Sequence, residues 1–594
     1  MKAEFKLTEC RWHRRIRAAK YLVLIFALAT LQACSPVQLD KDEKVSQSLG
    51  LEFLLGREPL ASPQPTYLFM PPEHYLAPSN SFEGVLTLTP ESGLSEIEIL
   101  TDTFGIAGDE TLRLKELPPF SFSFVMDRTD IIPLEREPQI TSHPNWEIIA
   151  EPGTAWDVAE DSGWSHAALP FTLKEKNENC LHNGLMKFLY KDDGSITRVA
   201  WQITSETCLY VKVNLWGVID ASYEPGPIAS ADEVIAAYRT EVANRLPLKP
   251  ISALREDYPD LEPAAFYPPG IDDVTVYGFV MDGVNYRSEC PTRFGPYPFC
   301  DVLDLPSYSL AKSIFGGLGY FILTLRWPEF ATTPVVELIP ECDLKDGRWN
   351  DVTPALLLNM TTGNYESTVF NADEDAASMV AFFEAETHNG KIRFSCETWP
   401  QKSEPGTQWA YHTTDTYLLG VAMNRFLKQK LGDQSDIYDD ILYPEVFKPL
   451  GLSPVMKWTH RTYDDTSQPF TGYGLIFHND DVLRIALALN TDSPLSNHLA
   501  GVNFESAMFR SDSPRHTGLD PNDLAYSSGF WGVNVSREIN CLDSTWVPFF
   551  SGYGGIVVAM FPNGSLYYYF TDSNKYGFRT AAAEANKALN YCKE

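Results

Sequence analysis

The sequence predicts an α+β chain: an all-β, sandwich-like N-terminal domain, then a larger half built from an antiparallel sheet, flanking helices and an all-helical lobe. Three observations lead there. Period-two hydrophobic alternation dominates residues 80 to 222, a helical and loop-rich middle follows, and strand pairs with tight-turn chemistry bracket that middle near both of its ends.

The chain starts with seven basic residues between Lys2 and Lys20, followed by the apolar run Tyr21-Leu-Val-Leu-Ile-Phe-Ala-Leu-Ala. A basic n-region before a short h-region reads as an export signal, and the run is too short for a comfortable membrane span. Leu31-Gln32-Ala33-Cys34 resembles the bacterial lipobox. That resemblance implies cleavage before Cys34 and a lipid on its sulfur. With Ser35 following, it implies an outer-membrane lipoprotein facing the periplasm or the exterior. The expected organisation is a signal peptide at 1–33, a lipidated tether at 34–50, a β-rich domain at 51–225, a helix and linker at 226–264, and a second domain at 265–594.

In the β-rich domain, Phe82-Glu-Gly-Val-Leu-Thr-Leu-Thr, Phe120-Ser-Phe-Ser-Phe-Val and Leu209-Tyr-Val-Lys-Val-Asn-Leu alternate apolar and polar residues. Ser230 with Glu233 three residues on has the form of a capping box, so a helix is expected from there. Val274 to Tyr286 reads as two strands around Asp282-Gly283, and Gly555 to Phe570 as two strands around Asn563-Gly564. A last helix is expected from Arg579 to Tyr591. Tyr567-Tyr-Tyr-Phe reads as strand core.

The formal net charge is −32, and removing residues 1–33 takes away seven basic and two acidic residues, leaving about −37. Such a surface excludes nucleic acid and anionic lipid as partners, so the membrane is reached only through the lipid anchor. Beyond Cys10 and Cys34, eight cysteines remain, an even number in an exported chain. Eight allow about 105 pairings. Pairing neighbours in sequence gives 180–208, 290–300, 342–396 and 541–592. The cysteines show no Cys-x-x-Cys spacing and the histidines no His-x-x-x-His, so no metal site is expected.

Pro306-Ser-Tyr-Ser-Leu-Ala-Lys-Ser-Ile-Phe-Gly-Gly-Leu-Gly reads as a loop entering a helix. Ser309 and Lys312 then stand one turn apart on one face, where the helix dipole favours developing negative charge on the serine. A desolvated lysine loses proton affinity and can act as its base. Gly316-Gly317-Leu318-Gly319 has no phosphate-binding Lys-Ser/Thr after it, so it reads as close helix packing.

Four segments, in order, resemble the class C β-lactamase and penicillin-binding-protein-like serine hydrolase family. They are Asp304-Leu-Pro-Ser-Tyr-Ser-Leu-Ala-Lys-Ser, Val352-Thr-Pro-Ala-Leu-Leu-Leu-Asn-Met-Thr-Thr-Gly, Pro405-Gly-Thr-Gln-Trp-Ala-Tyr-His-Thr and Phe550-Ser-Gly-Tyr-Gly-Gly. The resemblance covers about 265 to 594 and implies a β-lactamase/transpeptidase-like domain there. It implies that Ser309 is acylated, that Lys312 is its base, and that Tyr411 helps take the proton with the Lys312 cation beside it. It implies an oxyanion site from the Ser309 N–H and the strand at Gly552, Tyr553 and Gly554. No cofactor is implied.

Two motifs depart from the family. Its Tyr-x-Asn is Tyr411-His412-Thr413, which leaves open whether Thr413 can hold Lys312. Asp415 reads as a cap of the next helix. Its Lys-Thr-Gly is Ser551-Gly552-Tyr553, without the cation that grips a substrate carboxylate; His516-Thr517-Gly518 reads as a loop. An esterase or amidase acting on a small or peptide-like substrate is therefore expected before a true β-lactamase. A D,D-peptidase or penicillin-recognising enzyme, and a catalytically silent envelope-binding lipoprotein, are the alternatives. Oligomeric state and the role of the β domain are left open.

Overall fold

The computed structural model describes residues 48–161, 163–490, 502, 504–509 and 524–592. The expected signal peptide, Cys34, nearly all of the tether and the His516-Thr517-Gly518 segment lie outside them. Among the described residues, no helix is long and apolar enough to cross a membrane.

The N-terminal strands are β1 (Gly84–Asp102), β2 (Phe120–Asp127), β3 (Asp130–Pro133), β4 (Trp146–Ala150), β5 (Gly153–Trp156), β6 (Ser165–Glu175), β7 (Leu181–Tyr190), β8 (Val199–Thr207) and β9 (Val211–Pro225). They form one sheet in the order β4-β6-β5-β3-β2-β1-β9-β8-β7, and β6 also pairs along its length with β7. That last pairing closes a ring, with β4 and β5 sharing one edge of β6. Where two stacked sheets were expected, one antiparallel sheet curls into a barrel. Alternation along a strand is the same in both cases, so it does not distinguish them.

Burial separates the strands. β1 alternates buried and partly or fully exposed residues over its first six positions, Gly84 to Thr89, whereas every residue of β6, β7 and β8 is buried. Their inner side chains, such as Phe171, Met186, Phe188 and Trp201, fill the barrel. Their outer ones, Leu185, Leu189 and Ala200, belong to the core of the second domain. A strand covered on both faces needs apolar residues on both.

The second domain has a sheet in the order Leu248–Pro250, Val284–Arg287, Val274–Met281, Leu566–Thr571, Ile556–Met560, Trp546–Gly552, Phe530–Asn534, Leu524–Ser527. Strands from both ends of the domain thus meet in its middle, as the turn signals implied. Asp282 (φ 50°) and Gly283 (φ 77°) make the mirror-image turn that matches strand twist. Tyr567 and Tyr569 pack under the helix Arg579–Ala588, while Tyr568 faces the other core. The helix Ala231–Asn244 forms, but Ser230 sits at φ −93°, ψ 11° and its side chain makes no cap bond. The cysteines pair as neighbours: 180–208, 290–300, 342–396 and 541–592.

Candidate active site

Leu305–Pro306 pairs antiparallel with Ile476–Phe477, and the chain then turns sharply at Tyr308 (φ 41°) into a helix. A tyrosine held at positive φ is strained, and such strain gathers at functional turns. Ser309 stands at the turn, half-buried. The helix opens with a π-helical stretch, Lys312–Gly317, and continues as Leu318–Arg326. Such widened turns recur at functional sites. The glycines serve close packing: a Cβ on Gly317 would lie 2.9 Å from the Phe530 ring, and one on Gly319 would lie 3.0 Å from the Met423 sulfur.

Lys312 is buried, and its Nζ donates to Ser309 Oγ at 2.8 Å, to Thr413 Oγ1 at 2.8 Å and to the Gly472 carbonyl at 3.2 Å. Burial pushes the ammonium down to about 8, although Glu374 works against this. A useful fraction is therefore neutral near pH 7 to 8. Thr413 does hold Lys312. Its hydroxyl donates to Glu374 Oε1, leaving a lone pair for the ammonium, and its backbone N–H donates to Glu374 Oε2 at 2.8 Å. The pair Thr413–Glu374 stands where the family has one asparagine.

Tyr411 is buried in an aromatic box, with ring centroids 5.7 Å from Trp531, 6.1 Å from Trp409 and 6.4 Å from Tyr526. Burial, then the neighbouring Tyr526 and Glu374, raise its hydroxyl well above the ordinary range, and a hydrogen bond with Ser309 only partly offsets this. The Lys312 cation lies 4.9 Å from the ring centroid, over its face. Burial thus favours the protonated Tyr411 hydroxyl beside Ser309, which weighs against the shared-base role that the resemblance implied. Lys312 is the group at Ser309 whose proton affinity burial lowers toward neutrality.

Asp415 does not cap its helix, Thr413–Leu431; it sits buried in the first turn, 3.7 Å from His412 Nδ1. His412 Nε2 meets Asp373 at 3.0 Å, and its ring stacks on Trp399 at 4.8 Å. Burial opposes the imidazolium, but the hydrogen bond to Asp373 and the nearby Asp415 carboxylate hold it up at about 9. Burial also raises Asp415, whereas on Asp373 the bonds from His412, Glu366 N–H and Ser367 N–H outweigh burial and keep its carboxyl low. Asp373 is the hydrogen-bonded partner of His412. The pair anchors the loop that carries Glu374.

The strand Trp546–Gly552 runs against the nucleophile turn: a Cβ on Gly552 would lie 2.9 Å from the Ser307 carbonyl and 2.8 Å from Leu310 Cδ1. Ser309, Gly552 and Tyr553 line one cavity of about 1730 Å³; Gly554 (φ 87°) turns away into the next strand. The barrel supplies one wall of this cavity, including Phe104, Ile106 and Tyr210.

The barrel also reaches behind the nucleophile. Asn179, fully buried in the turn between β6 and β7, accepts at Oδ1 from Tyr308 N (2.7 Å), Ser307 Oγ (3.1 Å) and Gly474 N (3.1 Å). Sequence reading did not single out Asn179, Glu374 or Gly472. Asn179 has one weak signal, its place beside Cys180; the other two lie far from any motif they serve.

Residues 308–496 match the family model described as Beta-lactamase. This match lies within the second domain and leaves the barrel outside it. No curated protein matches the chain significantly. Among solved structures it is similar to a putative 6-aminohexanoate-dimer hydrolase from Bacillus anthracis, with 15% identity, TM-score 0.37, and 58% of this chain and 81% of that one covered. It is similar to a penicillin-binding protein homolog from Caulobacter crescentus, with 16% identity, TM-score 0.38, and 57% and 97% covered. It is also similar to EstCE1, a hydrolase with promiscuous acyltransferase activity, with 14% identity, TM-score 0.41, and 60% and 100% covered. The β-lactamase-family match spans Ser309, Lys312, Tyr411, Thr413 and Glu374 and stops short of the Gly552 strand.

Proposed function

We propose that the protein is a serine hydrolase that cleaves an ester or amide lacking a free carboxylate. The contact that carries this reading is Lys312 Nζ to Ser309 Oγ, 2.8 Å, with the lysine buried and held down at about 8. Ser309 Oγ attacks the substrate carbonyl carbon and its proton passes to neutral Lys312. The N–H groups of Ser309 and the Tyr553 region face the oxyanion. The tetrahedral intermediate expels the alcohol or amine, which leaves with a proton from Tyr411, reprotonated through Lys312. Water then attacks the acyl-enzyme and frees Ser309 and a carboxylic acid.

The charge on the cavity wall supports the substrate class. Glu178, Glu374, Asp375, Glu384 and Glu386 stand against Lys176 and Arg579. An anionic substrate is repelled by such a wall, and an apolar or cationic one is favoured. Phe104, Ile106 and Phe370 suit an apolar substituent.

The test is labelling of the purified protein by a fluorophosphonate and by a fluorescent penicillin, with Ser309→Ala as control. Labelling by the first only is the expected result. Labelling by penicillin would favour the peptidoglycan-enzyme alternative, and labelling of folded protein by neither would sink the hydrolase reading.

The same proposal includes export and lipidation at Cys34, with anchoring in the outer membrane. The lipobox-like Leu31-Gln32-Ala33-Cys34 supports it. Incorporation of an alkyne fatty acid into the wild type but not Cys34→Ser checks it.

A further inference from the structure

Where the barrel meets the strand leading to Ser309, three buried side chains from three distant segments converge. Glu151 follows β4, at 1% exposure; Asp304 precedes Leu305–Pro306, at 0%; His478 follows Ile476–Phe477, at 2%. Leu305 pairs with Phe477, so Asp304 and His478 are the next pair along that ladder. His478 Nε2 lies 3.4 Å from Glu151 Oε1 and 3.6 Å from Asp304 Oδ1. One ligand atom from each of the three lies within 4.8 Å of the others.

These atoms lack hydrogen-bond partners. Glu151 Oε1, both carboxylate oxygens of Asp304 and His478 Nε2 are all buried without one. Glu151 uses its other oxygen, Oε2, for Arg136, which in turn bonds Glu241. Buried acceptors left unmade cost about 1–3 kcal/mol each, and more when charged. Separations of 3.4 and 3.6 Å exceed the range of a good N–H···O bond, about 2.7–3.2 Å. They match two ligands of one tetrahedral ion, because donors about 2.0–2.2 Å from zinc lie about 3.4 Å apart.

We propose that Glu151, Asp304 and His478 bind a divalent transition-metal ion, with zinc the best fit to one imidazole and two carboxylates. The ion fastens the barrel to the strand that delivers the nucleophile. Arg136 on Glu151 Oε2 is the outer partner that orients this ligand. The competing occupant is a proton: burial opposes it, but Glu151 and Asp304 hold His478 up at about 10.

The test uses the full chain purified from zinc-replete medium without chelator, with metal content read by inductively coupled plasma mass spectrometry. About one zinc per chain is expected, falling at least tenfold in Asp304→Asn and in His478→Gln. Because either variant can fail to fold, the wild type is also refolded with Co2+, where a tetrahedral d–d absorption band at one equivalent is expected. Wild-type protein with less than a tenth of an equivalent of metal and no cobalt band overturns the proposal. So does zinc retained in full by folded variants.

Discussion

Asn179 Oδ1 accepts a hydrogen bond from the Tyr308 backbone N–H at 2.7 Å, across 129 residues of sequence. A side chain of the barrel thereby fixes the residue that precedes the nucleophile. Replacing it leaves Tyr308 N, Gly474 N and Ser307 Oγ without their shared acceptor. Asn179→Ala should lower kcat/KM on the order of 100-fold through misplacement of Ser309. Thermal unfolding should shift downward, with about 1–3 kcal/mol for each orphaned donor as the scale. Unchanged kcat/KM in the variant would falsify the positioning role.

Lys312 must lose its proton before it can accept one from Ser309. It sits at about 8, so kcat/KM should rise about tenfold per pH unit below that value and level off above it. Fluorophosphonate labelling rates across pH 5 to 9.5 measure this. A flat profile would contradict the assignment of the base.

Glu374 favours the protonated lysine through Thr413. Removing its charge should move the acidic limb of that profile to lower pH. Glu374→Gln keeps the shape and deletes the charge, so a limb that stays in place or moves up counts against the Thr413–Glu374 pair as the setting of Lys312.

Gly552 admits no side chain beside the nucleophile turn. Gly552→Val should abolish labelling by the fluorophosphonate while circular dichroism keeps the native spectrum. Labelling at the wild-type rate would show that the strand does not face the reacting carbonyl.

His412 provides a test in stability. Its folded value, about 9, exceeds the ordinary 6.5, so the ion pair's contribution is complete below about 6.5 and disappears as pH rises through 9. The shift sets a ceiling of about 3 kcal/mol. Urea unfolding at pH 6 and pH 9.5 should show a loss in wild type that His412→Gln lacks, and equal losses in both would exclude the pair.

Ser309, Lys312 and Tyr411 were singled out by the resemblance of four ordered segments to a known family, since the Ser-x-x-Lys spacing alone is a weak signal; the fold brings Lys312 onto Ser309. The Asp282-Gly283 hairpin and the tyrosine-rich strand were legible from turn chemistry and alternation, and the disulfides join neighbours in sequence as the simplest pairing had it. Barrel closure was not, because the β6–β7 contact that closes the ring changes no alternation. Glu374 and Asn179 were hidden because each meets its partner only after distant segments dock. Whether Thr413 could hold Lys312 was open from sequence, and its hold becomes intelligible once Glu374 stands behind it. The raised Tyr411 hydroxyl depends on the surrounding aromatic box, which no spacing reports.

The outer faces of β6, β7 and β8 are finished only by the second domain, and the nucleophile turn is finished only by Asn179. Neither half is therefore a self-sufficient unit. During folding the barrel carries an apolar flank that stays uncovered until the last strands, Ile556–Met560 and Leu566–Thr571, complete the core against it. A chain that lacks those strands leaves this flank bare, an aggregation-prone surface.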